Sequence, residues 1–160
     1  MGISQPSVGV RLRKLKEKGA LSFLIGMNFK KIDLHLVNVE LSTRNSAEIL
    51  RRFRGCPYFL NGFVVSGRRN LSLFFVGEDL STIDALVDAH IRSRSDVEDV
   101  EVNVVLASYK NLVFPVRMKI ERKNPPPCGD GNCSSCAYYL KERCLGCPVT
   151  GHYRGKFWQG

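Results

Sequence analysis

Between Leu34 and Leu106 the spacing of apolar residues alternates between the two-residue period of strands and the longer period of helices, in the order strand, helix, strand, strand, helix, strand. Val37, Val39 and Leu41 alternate with Asn38 and Glu40, as a half-buried first strand requires. Asn45 precedes a helix whose apolar face is Ile49, Leu50 and Phe53; Glu48 completes a capping-box-like start and Gly55 ends it. Tyr58 to Ser66 and Leu71 to Val76 read as a hairpin turning at Gly67-Arg68-Arg69-Asn70. Asp79 caps a second helix with Leu80, Ile83, Leu86, Val87 and Ile91 on one stripe and Asp84, Asp88 and Arg92 toward solvent. Val100, Val102, Val104 and Leu106 alternate with Glu101 and Asn103 in a last strand. This order predicts an α+β fold built on a ferredoxin-like βαββαβ unit. Its two helices cover one face of the sheet. Phe74 and Val105 point to the other face, so a symmetric partner is the economical cover for it.

Charge divides the 160 residues into three regions. Residues 1–31 carry a net +6, residues 32–115 a net −2 and residues 116–160 a net +5, which together make the overall +9. A basic end beside a near-neutral centre suits one segment facing a polyanion and another packing for a different purpose. No apolar run approaches the roughly 20 residues of a membrane helix, and the N-terminus lacks a secretory signal pattern, so a soluble, cytoplasmic chain is expected. Boundaries are expected near residues 31 and 122: a DNA-binding segment and linker at 1–31, a ferredoxin-like domain at 32–122, and a proline linker with a cysteine-rich module at 123–160. Pro125-Pro126-Pro127 reads as a stiff spacer before that module. Leu21 to Phe29 reads as a short strand or linker, and Val113 to Ile120 as one further strand.

The basic end holds one helix. Ser4 can cap it, Pro6 lies in its first turn, Gly19 can end it, and Val8, Leu12 and Leu15 recur on one face. Small polar residues at the start and a basic body suit a recognition helix in a DNA major groove. Gln5 can pair with adenine and Ser7 with a base or phosphate, while Arg11, Arg13 and Lys14 reach guanine or the backbone. A basic amphipathic helix also suits a membrane surface or an acidic partner.

Five of the six cysteines lie between Cys128 and Cys147. Cys133-x-x-Cys136 and Cys144-x-x-Cys147 are two knuckles, and four thiolates satisfy tetrahedral zinc. A [4Fe–4S] cluster also needs four thiolates, and Pro148 after Cys147 is in keeping with ferredoxin segments, whose three-knuckle spacing this chain does not reproduce. Zinc is the first reading and the cluster the second, with Cys128 an alternative ligand and His152 a spare donor. Tyr138, Tyr139, Tyr153, Phe157 and Trp158 are the apolar stock of this segment, and a module so small needs its metal to fold. Cys56 before Pro57 reads as a core or turn cysteine. His35, His90 and His152 are scattered, no Ser/His/Asp set, carboxylate pair or phosphate loop accompanies them, and the chain is not expected to be an enzyme.

Ile3-Ser4-Gln5-Pro6-Ser7-Val8 through Arg11-Leu12, Leu15 and Gly19 resembles the recognition helix of the Lrp/AsnC regulators. Residues from about Val37 to Lys110 resemble that family's ligand-sensing RAM domain, with the Ser66-Gly67 turn, the Asp79-Leu80 helix start and the Val100 to Leu106 strand. The resemblance implies a homodimer or higher oligomer that reads palindromic double-stranded DNA through paired helices. It also implies a small-molecule effector at the turn Gly67, Arg68, Arg69 and Asn70, where Asn70 stands in place of the family's usual acid. In the family two further helices precede the recognition helix, whereas here Met1-Gly2 stand directly before it, and a start set at an internal methionine is expected. Archaeal relatives with a cysteine-rich tail, called TRASH, use a different spacing. The sequence therefore reads as a partial helix-turn-helix, a ferredoxin-like domain and a metal-binding tail, structural or sensory, in a DNA-binding transcription regulator. The alternatives are a stand-alone RAM-like sensing or interaction protein without DNA binding, and an iron–sulfur redox sensor.

Overall fold

The computed structural model describes residues 5–22, 25–129 and 132–159. Helix α1 (Gln5–Glu17) is followed by a two-residue strand β1 (Met27–Asn28). The central unit then runs β2 (His35–Thr43), α2 (Ser46–Phe53), β3 (Phe59–Val64), β4 (Leu71–Gly77), α3 (Leu80–Val87) and β5 (Val97–Val104). A short β6 (Val113–Phe114) pairs antiparallel with β1, and α4 (Ala137–Leu140) lies in the tail. The four-stranded sheet has the order β3-β4-β2-β5 with every neighbouring pair antiparallel, which is the ferredoxin-like arrangement.

Pairing register places the core. Val37, Val39 and Leu41 face Phe75, Leu73 and Leu71 across β2 and β4, and all six are buried. Ile49 and Phe53 of α2 and Ile83, Val87 and Ile91 after β4 close over that face, with Phe53 edge-on to Phe75 at 5.1 Å. Asn45 caps α2: its Oδ1 accepts from the Glu48 N–H at 3.2 Å and its Nδ2 donates to the Glu48 carboxylate at 2.8 Å. Asp79 caps α3 by accepting from the backbone of Ser81 and Thr82 and from both hydroxyls. Burial alone would raise its carboxyl, but those hydrogen bonds outweigh burial and hold it below its ordinary value.

Two sequence expectations need correction. Leu106 is 92% exposed and lies beyond β5: after the Val105 N–H bonds to Leu36 O, β2 has almost no backbone left to pair. Leu80, at the first position of α3, is exposed, and the buried face of that helix runs instead through Thr82, Ile83, Ala85, Leu86 and Val87 before one π-helical turn at Asp88–Arg92. Within Leu21 to Phe29 and Val113 to Ile120 the strands are short: among the described residues Met27 pairs with Phe114 and Asn28 with Val113, as the short strand or linker and the further strand expected there. The helix-free face of the sheet is polar at its centre, where Asn38 donates to Ser72 at 2.8 Å. Phe63 and Phe74 meet there edge-on at 6.0 Å, with Phe63 half exposed.

Residues past the prolines pack against the central unit. Trp158 stands edge-on to Tyr58 at 5.2 Å and donates its indole N–H to Arg117 O at 2.9 Å. Tyr58 donates to Gly146 O at 2.6 Å, and the Leu145 N–H donates to Thr82 Oγ1 at 2.8 Å. Glu78, next to β4, accepts from the backbone of Lys156 and Phe157 and from the Tyr153 hydroxyl. Trp158 and Cys128 thus share one apolar core with Phe53 and Phe75. No helix among the described residues is long and apolar enough to cross a membrane.

Candidate functional site

The tail has little regular structure, and its path is set by local hydrogen bonds. Asn132 caps a single 3-10 turn at Cys133–Ser135 by accepting from Ser134, and Cys136 opens the short α4. Gly146 adopts φ +84°, a conformation that other residues rarely take, and a Cβ there would meet His152 O at 2.7 Å. That backbone curls Cys144-Leu145-Gly146-Cys147 into a knuckle in which the Gly146 N–H donates to Cys144 Sγ at 3.4 Å. Tyr139 is buried beneath Arg154, whose guanidinium lies 3.9 Å from the ring centroid, and Arg143 pairs with Asp84 of α3 at 3.3 Å. These contacts make the tail aromatics part of its packing.

This path brings all six cysteines to one place. Cys56, Cys128, Cys133, Cys136, Cys144 and Cys147 line a single cavity of about 160 Å³ between the tail and the central unit. The opposite wall comes from Tyr58, from Ala85 and Leu86 of α3, and from His90. Cys56 and Cys128 are buried and no cysteine is disulfide-bonded. Burial pushes the Cys147 thiol up to about 12, and burial also raises Cys56, Cys128 and Cys144. Backbone N–H groups oppose it: Val149 and Thr150 at Cys147, Gly146 at Cys144, and Tyr58 and Phe59 at Cys56. Among the described residues, no three His, Cys, Asp or Glu side chains gather closely enough to hold one metal ion.

Sequence spacing singled out Cys133, Cys136, Cys144, Cys147 and Cys128 but not Cys56, which reaches the cavity because the turn after α2 lies beneath the tail. His90, whose ring stands 6.3 Å edge-on from Phe53, is likewise a wall residue. Burial, with Arg52 nearby, lowers its pKa. Neither position has a sequence signal, because both arrive by packing.

The second candidate region is α1. Arg11, Arg13 and Lys14 are exposed along it, and the helix ends with Gly19 in the left-handed conformation as Ala20 N–H bonds to Leu15 O at 2.9 Å. Val8, Leu12 and Leu15 are 43%, 44% and 44% exposed, an apolar stripe left open on the single chain. Ser4 lies outside the described residues, as do the side chains of Gln5 and Ser7.

The third is the turn between β3 and β4. Gly67 and Arg68 are exposed there. Arg69 pairs with Asp99 at 3.3 Å and also with Glu101 and Glu40 on β5 and β2. Asn70 is half-buried, accepting from Thr43 N–H at 2.9 Å and donating to Thr43 O at 2.8 Å. An aspartate could make only the first of these bonds, so the amide locks the turn onto the end of β2.

No family profile and no curated protein matches the sequence. Solved structures do. AsnC of E. coli is 14% identical with a TM-score of 0.56, over 68% of this chain and 76% of that one. A transcriptional regulator from Neisseria meningitidis, solved as a complex with L-Met, is 20% identical with a TM-score of 0.55, over 67% of this chain and 73% of that one. The feast or famine regulatory protein of M. tuberculosis, complexed with L-methionine, is 16% identical with a TM-score of 0.56, over 69% of this chain and 77% of that one. The chain therefore has the fold of the Lrp/AsnC, or feast-or-famine, regulators.

Proposed function

We propose that this protein is a DNA-binding transcription regulator of the Lrp/AsnC type, assembled through its ferredoxin-like domain and carrying a metal-binding tail. The observation that carries the reading is α1: a helix with exposed Arg11, Arg13 and Lys14 and an open stripe of Val8, Leu12 and Leu15, joined to a domain with the regulators' fold. The cations suit phosphates, and the stripe suits packing against further helices of a DNA-binding unit. Exposed Phe63 beside Phe74 on the helix-free face supports a symmetric sheet-to-sheet dimer, which would set two copies of α1 against the half-sites of a palindrome.

Two of the solved regulators hold methionine. For this chain a small-molecule effector is proposed at the turn of Gly67, Arg68, Arg69 and Asn70, where Arg68 faces solvent. In the tail the thiols of Cys133, Cys136, Cys144 and Cys147, with Cys128 beside them, are the proposed metal donors, zinc and a [4Fe–4S] cluster being the groups whose chemistry fits such a set.

The test is a salt titration of full-chain protein on labelled duplex DNA. Affinity is expected to fall steeply with salt, and the combined Arg11→Ala, Arg13→Ala, Lys14→Ala variant should bind more weakly with a log–log slope shallower by about 0.9 per lost phosphate contact. Absence of binding at low salt, or a variant slope equal to that of the parent, overturns the DNA-binding role.

A further inference from the structure

We infer that the six-cysteine cavity is the seat of a polynuclear iron–sulfur cluster of the four-iron type, lodged between the tail and α3, and not a single-ion zinc site. The inference rests on the metal-binding reading of the tail and is independent of DNA binding.

Size is the first reason. Tetrahedral zinc draws four sulfurs to about 2.3 Å from one point, hence to within about 4 Å of each other, leaving no free space between them. Here the six cysteines line about 160 Å³, and among the described residues no three are gathered tightly enough around a point to hold one ion. An engineered cavity of about 150 Å³ accommodates benzene. The space is thus that of a compact group of several atoms, which a four-iron, four-sulfide cube is, with one thiolate on each iron.

Chemistry of the wall is the second. All six cysteines line the space, and Cys144 lies close enough to Cys133 and Cys136, and Cys147 to Cys128 and Cys133, for their charges to interact. Cys144 and Cys147 each accept a backbone N–H, the kind of bond that stabilises cluster thiolates and tunes their potential. Buried Tyr58, Leu86 and Tyr139 line its apolar side, and the small Ala85 keeps α3 recessed. Binding is an exchange without net redox change: each cysteine thiol displaces one small-molecule thiolate from iron, and its proton leaves on the departing thiol.

The experiment uses full-chain protein stripped of metal and mixed without oxygen with a preformed four-iron cluster carrying exchangeable thiolates. After gel filtration about four irons and four sulfides per chain are expected, with visible absorbance that bleaches on reduction. The Cys144→Ser, Cys147→Ser double variant should retain no cluster. Ala85→Phe, which keeps every thiol but fills the space, should also lose it while its far-ultraviolet circular dichroism matches the parent. Full retention by either variant overturns the assignment. One tightly held zinc per chain that the cluster cannot displace, without sulfide, overturns the cluster and leaves the metal-binding tail standing. Failure to bind either metal overturns both.

Discussion

Asn70 shows how one atom type sets a local structure. Its amide both gives to and takes from the backbone of Thr43, and this closes the β3–β4 turn against the end of β2. Asn70→Asp keeps the size but replaces the donor with a second acceptor aimed at Thr43 O. Loss of one hydrogen bond and an unfavourable oxygen contact should lower stability by about 1–2 kcal/mol, read in a urea melt. An unchanged midpoint would mean that the turn is held by Arg69 with its three carboxylates, the Arg68–Asp99 pair and the Ser42 hydroxyl on Arg68 O.

Helix α3 depends on Asp79 in the same way at the scale of an element. The carboxylate satisfies backbone donors of Ser81 and Thr82, and Thr82 Oγ1 in turn accepts from Leu145 of the tail. Asp79→Ala should cost about 1 kcal/mol of stability, as removal of an N-cap generally does. The pH dependence has a definite sign. Asp79 ionises more readily in the folded chain than unfolded, so its contribution is complete above the unfolded value of about 3.9 and is lost as pH falls through the lower folded value. A parent whose thermal midpoint drops on acidification through that window, beside an Asp79→Ala variant whose midpoint drops less, is the expected pair of curves. At the same scale α1 had readable limits, because proline, glycine and helical spacing are local signals; its half-exposed apolar stripe was not readable, because burial depends on what packs against it.

For the molecule as a whole, Trp158 is one of the fastenings between the tail and the sheet, packing on Tyr58, Tyr153 and Phe157. Trp158→Ala removes a buried aromatic and should cost about 3–5 kcal/mol. If the tail is fastened there, limited proteolysis of the variant should cut first within residues 123–160 while residues 32–122 stay protected. Simultaneous cutting across both regions would show that they unfold as one unit.

The sequence by itself determined the ferredoxin-like order, both helix caps and the two cysteine knuckles, because each is written in contacts a few residues apart: alternation, Asn45 to Glu48, Asp79 to Thr82, Cys144 to Cys147. Only the tertiary structure decided that β5 stops short of Leu106, that Leu80 faces water, and that Cys56 and His90 join the tail cysteines around one cavity. Those outcomes depend on strand register and on the docking of distant segments, where burial is shared between residues far apart in the chain and no local pattern records it.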